Sequence, residues 1–315
     1  MKINAYFESY GIEWGYIATF NKLFNKLKEN YTNIEFNYIE PNLVKSPSKY
    51  TGPASKYGPH FMILENDDNK KYFVISYWDK LKDIIVSSNV TNWDIENQVE
   101  IFSSAGAHKD DFYYAPLNCK YTPISYTTMT IDIENKIENI YKQNTKRNMP
   151  NKLTFRGYLY GFRQFLGTDK RFNIISKQLS FLNQLDYINE LDTLNLNFSI
   201  NGAGEICNRD IEILGLGTAL FRTKLVTKFH NELIPNYHYI SVDFDDIEYD
   251  EHSHNYIKYW KTLSDRIYDR FIEIKDNEEF IKYIGDNGRK WYLENGTVDA
   301  NSKIIYDLID FNKLK

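Results

Sequence analysis

Two cysteines, Cys119 and Cys207, cannot build a disulfide framework in a chain of 315 residues, and they have no zinc-type spacing. This scarcity points to a reducing compartment, and a cytoplasmic location is the expectation. Long hydrophobic runs are missing too. No stretch reaches the roughly 18 apolar residues that a membrane span requires, so no transmembrane segment is expected and any membrane contact would be peripheral. The first strand is followed by charges at Glu8 and Glu13, which the apolar stretch of a signal peptide would not tolerate. There is no basic excess either. With 38 Lys and Arg against 43 Asp and Glu, the formal net charge of −5 argues against a protein that tracks a nucleic-acid backbone.

Aromatic residues are abundant, at 16% of the chain with 26 Tyr and 20 Phe, and 42% of residues are hydrophobic, which excludes a disordered chain. The length suits one large domain or two ordinary ones, with well over half of the unfolded surface buried. Aromatic surfaces of this kind fit carbohydrate handling, and they equally fit the core of a Tyr-, Ile- and Asn-rich globular protein. Composition leaves both open.

Periodicity gives an α/β pattern from the start. A strand at 3–7, a loop around Gly11 and Gly15 and a helix at 16–27 are followed by strands at 34–39, 60–64 and 71–76. The last strand ends in Trp78 and Asp79, at the carboxyl end where open sheets present side chains to a ligand. Asp79 therefore either contacts substrate or caps a helix over 80–86. The segment 102–116 mixes small residues with His108, Asp110 and Asp111, and is the best acid–base loop of the first half. A helix over 131–141 leads to the polar stretch KQNTKRNMPNK, whose Pro150 marks a linker. A second α/β pattern begins at LTFRG, where Arg156 and Gly157 end a strand and Arg163 follows. Guanidinium forks match phosphate oxygens, so this is one phosphate cradle, with surface ion pairing as the alternative.

The second cradle is the stretch from Asn197 to Leu225. Gly202, Ala203 and Gly204 precede Glu205, Arg209 and Glu212, and the pattern reads as a tight loop feeding a short helix. Free N–H groups, the helix dipole and a guanidinium can together hold an anion there. A strand at 238–242 and helices at 256–271 and 279–292 complete the reading.

These motifs resemble glycosyltransferase family 90, which includes protein O-glucosyltransferases and lipopolysaccharide-modifying enzymes. The carriers are FRG at Phe155–Gly157 with Arg163, GAGEICNR at Gly202–Arg209 and LIPNYHYISV at Leu233–Val242, in the family's order over the second half of the chain. The sequence departs from the pattern at Cys207, where serine is expected, and at Tyr158, where Ser or Thr is expected. The resemblance implies a GT-B fold of two Rossmann-like domains facing a central cleft. Residues 1–145 would be the acceptor side, 146–295 would bind the nucleotide-sugar, and 296–315 would pack back on the first domain. It further implies a hexosyl- or pentosyltransferase moving sugar from a UDP-sugar to a glycan or glycoprotein hydroxyl, with no cofactor and no bound metal.

Donor binding would fall to Arg156, Arg163, Gly202, Ala203, Gly204, Glu205, Arg209 and Glu212. The arginines would face the diphosphate, and Glu212 would take the ribose hydroxyls. Glu205 and Glu212 lie one residue closer together than the glutamate pair of retaining GT-B enzymes, so inversion is expected. Asp79, His108 and Asp110 are the candidate bases. Two alternatives stand beside this reading. Asp243 and Asp245 form a D-x-D that suits a metal-dependent GT-A enzyme. A non-catalytic nucleotide- or sugar-binding protein would keep the fold alone.

Overall fold

The computed structural model describes residues 2–6, 15–30, 35–39, 61–66, 72–76, 100–103, 120–128, 130–143, 147, 150–177, 179–201, 205–226, 229–245 and 256–310. In the first half, β1 (Lys2–Tyr6), β2 (Glu35–Ile39), β3 (Phe61–Asn66), β4 (Tyr72–Ser76), β5 (Glu100–Ser103) and β6 (Lys120–Pro123) form one sheet in the order β2-β1-β3-β4-β5-β6. Strand β3 runs antiparallel to both β1 and β4, while β1–β2, β4–β5 and β5–β6 are parallel. This sheet is therefore mixed, and its antiparallel strand β3 lies in the interior, where doubly wound sheets carry such a strand at the edge. Helix α1 (Gly15–Asn30) buries Phe20, Leu23, Phe24 and Leu27, one apolar stripe at helical spacing.

The second half carries β7 (Thr154–Gly157) parallel to β8 (Asn173–Ser176), and a parallel trio of β9 (Leu196–Phe198), β10 (Ala219–Thr223) and β11 (Ile240–Val242) with β10 in the middle. β10 is buried at all five positions. Such uniform burial explains why this strand shows no polar alternation in the sequence. Helices α2 (Ile131–Gln143), α4 (Gln184–Asp192) and α5 (Asn208–Leu216) pack together through Ile133, Ile137, Ile188, Leu191, Ile211 and Leu214. Helix α6 (Tyr256–Ile274) places Leu263, Ile267, Phe271 and Ile274 in a separate core with β7 and the parallel trio. The five-residue α3 is Phe162–Leu166.

Helix α5 is short, and both of its ends are specified. Gly217 closes it in the left-handed conformation, φ 67°, which a glycine adopts without a Cβ penalty. Its last carbonyls accept from cations: Leu216 O from Arg147 Nη2 at 2.9 Å, and Gly215 O from Arg289 Nη1. Positive groups at a helix C-terminus complement its dipole. Helix α7 (Glu278–Asn295) crosses this turn so closely that a Cβ on Gly285 would overlap the Gly217 carbonyl oxygen. Gly285→Ala is accordingly expected to destabilise the fold by about 1–3 kcal/mol through overpacking, read as a lowered urea midpoint. An unchanged midpoint would mean that α7 does not sit on this turn.

After Gly296 the chain bends into α8 (Val298–Leu308), within the 296–315 segment for which the resemblance implies a helix that crosses back to the first domain. The bend is held by buried polar groups. Asn301 Nδ2 donates to the Ser125 backbone and hydroxyl oxygens at 2.8 Å, and Glu134 Oε2 accepts from the Val298 N–H at 2.9 Å. Helix α8 then lies along α1, with Lys22 paired to Asp299 and Asn30 donating to the Tyr306 hydroxyl. No described helix is long and apolar enough to cross a membrane.

Candidate functional site

The C-terminal ends of β7 and β8 and the N-terminus of α5 enclose a cavity of about 440 Å³. Each wall follows from local sequence. On β7, alternation turns Phe155 into the core and Arg156 to the other side. Arg163 enters from the first turn of α3, just after Gly161, whose φ of 51° reverses the chain. Lys177 follows β8, Tyr187 comes from α4, and Cys207, Arg209 and Glu212 line the cavity from α5 and its N-cap. The cap is reciprocal in part: the Cys207 N–H donates to Asp210 Oδ2 at 2.8 Å.

Arg163 and Arg209 are both 8% exposed, and neither has a carboxylate partner among the described residues. Arg163 Nη2 donates to Ile200 O at 2.9 Å, its guanidinium lies 4.7 Å from the Phe155 ring, and its buried Nε finds no acceptor. Burial holds the Arg163 pKa below its ordinary value. Arg209 donates to the Arg156 carbonyl and stacks at 3.9 Å on Phe155 and 5.3 Å on Tyr187. Aromatic faces support these cations but do not neutralise them. Two buried guanidiniums beside a helix N-terminus form a site that is incomplete without an anion.

Arg156 is different. Its Nε and Nη2 grip both carboxylate oxygens of Glu190 at 2.7–3.1 Å, and Nη1 donates to Ser180 O and Oγ. Four of its five N–H groups are committed in this way, so the Arg156 guanidinium fastens the 180–190 segment to the cavity's edge, where Arg156 forms part of the lining. Glu205 lies off the cavity lining. Its Oε1 accepts from the Val226 N–H at 2.7 Å. Glu212 does line the cavity and is 3% exposed, and burial pushes its carboxyl up to about 7, with Arg209 and Lys177 opposing the rise. Burial pushes the Cys207 thiol up to about 12, which makes it a poor nucleophile.

Behind the cavity, Arg222 and Asp210 form an ion pair at 2.8 Å with both side chains fully buried. Arg222 Nη2 also reaches Asn201 Oδ1 at 2.6 Å and Glu205 O at 2.5 Å, tying the ends of the Gly202–Gly204 segment together. Gly202, Ala203 and Gly204 themselves lie outside the described residues, as do Trp78, Asp79, His108, Asp110, Asp111, His252, His254 and the helix expected over 80–86. The D-x-D lies at the end of β11, where Asp245 pairs with Lys224 and Asp243 is 4.0 Å from the same ammonium.

No protein-family model matches the chain, and no curated protein matches it. Among solved structures it is similar to that of Anabaena Alr3699/HepE in complex with UDP and glucose. The two are 10% identical, with a TM-score of 0.47 over 90% of this chain and 88% of the other.

Of the residues that the sequence singles out, Arg156, Arg163, Arg209 and Glu212 line one cavity; Lys177 and Tyr187, which line it too, and Glu190, which pairs with Arg156, were not among them. Tyr187 and Glu190 belong to α4. A signal for that helix was present: Asn183 caps it by accepting from the Asp186 N–H at 2.9 Å, and Ile188 and Leu191 give its buried stripe.

Proposed function

We propose that the protein is a glycosyltransferase of GT-B type that uses a nucleoside-diphosphate sugar, with the cavity under β7 and α5 receiving the diphosphate. The observation that carries this reading is the pair of buried arginines, Arg163 and Arg209, at the N-terminus of α5, with no carboxylate partner among the described residues. The family 90-like motifs supply the sugar chemistry: two of the three segments that resemble that family, FRG with Arg163 and GAGEICNR, contribute residues of β7, α3 and the start of α5 to the cavity, while LIPNYHYISV does not line it.

In the proposed reaction the bond between the anomeric carbon and the diphosphate oxygen breaks while an acceptor hydroxyl attacks the same carbon. The acceptor proton goes to a base, for which Asp79, His108 and Asp110 are the candidates, and the nucleoside diphosphate leaves with both bonding electrons. Negative charge grows on the leaving diphosphate, so fixed guanidiniums favour the transition state over the ground state. UDP is the proposed nucleotide, a glycan or glycoprotein hydroxyl the acceptor, and inversion the stereochemical outcome. Residues 1–145 form the acceptor side and 146–295 the donor side. Arginines that neutralise the diphosphate make a metal unnecessary, so transfer is expected to persist in chelator. Loss in chelator with recovery in manganese would shift the assignment to Asp243 and Asp245.

The test is a thermal-shift screen against UDP, GDP, dTDP and their sugars, followed by a transfer assay with the ligand that stabilises most. A donor at 100 times its Kd adds about 2.7 kcal/mol to native stability. No stabilisation by any nucleotide would end the proposal. Stabilisation without transfer or donor hydrolysis would favour a binding protein.

A further inference from the structure

Glu212 is a buried carboxyl that makes no hydrogen bond or ion pair with another described residue, yet it lines a cavity rich in cations. Its surroundings are specific. Arg209 lies one turn before it on α5, Asp210 sits on the same helix, and Cys207 occupies the N-cap. Lys177 approaches from the end of β8, Arg163 from α3 and Tyr187 from α4. The Tyr292 phenol of α7 interacts with it electrostatically. Arg222 on β10 is taken by Asp210. On α2, Glu138 is paired with Arg289, and Glu134 accepts from the Val298 N–H. Nothing described offers Glu212 a hydrogen to accept, and an uncompensated buried carboxylate is costly.

A carboxylate in this position would also repel the anion that the two arginines await. A neutral carboxyl would instead supply one more donor. We propose that Glu212 binds the ligand as a neutral carboxyl, donating its O–H to a phosphate oxygen of the anion held by Arg163 and Arg209, so that the cavity takes up a phosphorylated ligand together with a proton. This inference rests on the reading of the cavity as a phosphate site. It moves Glu212 from the ribose, where the sequence resemblance put it, to the phosphates. Burial pushes the carboxyl up to about 7, and Asp210 adds to the rise.

Isothermal titration with pyrophosphate and with UDP, at pH 8 in two buffers of different ionisation enthalpy, tests it. At that pH the terminal phosphate of UDP is fully ionised, since its second pKa is about 6, and the free Glu212 is mostly ionised; pyrophosphate still carries a proton of its own, so for that ligand the uptake is read as the difference between native protein and Glu212→Gln. Native protein is expected to take up close to one proton per ligand. Its affinity should therefore fall roughly tenfold for each pH unit above about 7. In Glu212→Gln the amide still donates. That variant should bind at pH 8 at least as tightly as native protein, with no proton uptake and no fall in affinity at higher pH. Zero uptake, proton release on binding, or uptake that persists in Glu212→Gln would overturn the proposal. Pyrophosphate binding with uptake but no UDP binding would keep the role of Glu212 and sink the nucleotide reading. If neither ligand binds, both fall.

Discussion

Arg209→Ala is expected to lower kcat for sugar transfer by about 10²–10³-fold, the cost of removing one preorganised donor from a developing anion. The size follows from the position of the guanidinium. It is held by the Arg156 carbonyl and the Phe155 ring, with no carboxylate of a described residue at ion-pair distance, so reaching the leaving diphosphate needs little reorganisation. Arg209→Lys should recover only part of the loss, because an ammonium is a point charge and cannot keep both the carbonyl contact and a forked grip on phosphate. Arg156→Ala is the contrasting variant. Its guanidinium is spent on Glu190 and Ser180, so the expected loss is in thermal stability, with kcat changed less than about tenfold. Steady-state kinetics on the three variants decide the matter. Equal losses in kcat for Arg209→Ala and Arg156→Ala would show that the division between anion-binding and structural arginines is wrong.

Arg222→Met should cost about 3–5 kcal/mol of folding stability, because it strands the Asp210 carboxylate where neither partner of the pair has any solvent exposure. Asp210 would keep a single described hydrogen bond, from the Cys207 N–H, which is too little to solvate a charge. The double variant Asp210→Asn/Arg222→Met removes the stranded charge and keeps an acceptor for Cys207, so it should regain more than half of the loss. Urea denaturation of the two variants and the native protein completes the comparison. A single-variant cost below about 1 kcal/mol would mean that the pair is not desolvated as described. Function should suffer alongside stability, since Asp210 sits in the first turn of α5, next to Arg209 in the cavity lining.

Much of this was legible in the chain. The spacing of Phe20, Leu23, Phe24 and Leu27 was enough for α1, and Ile133, Ile137 and Ile140 for α2, because a helix repeats its buried face every three or four residues. The small-residue loop, the arginine two residues after Cys207 and the glycine at 217 marked the start and end of α5. Strands β8 and β9 passed unseen. They are four and three residues long, too short for a period to register. The antiparallel placement of β3 also had no local signal, since strand direction is set by pairing partners distant in the chain.

What the sequence determined by itself was the α/β class, the position of the anion-suited helix start and the arginines that could serve it. Each of these depends on neighbours within about ten residues, through helix period, caps and turn chemistry. What only the tertiary structure decided was the use of each charge. Arg156 meets Glu190 across 34 positions, Arg222 meets Asp210 across 12, and Arg163 and Arg209 are brought to one phenylalanine ring with no carboxylate to meet. Residue type specifies that a guanidinium can bind an anion. Whether that anion is a carboxylate of the protein or the phosphate of a ligand depends on what the fold buries beside it.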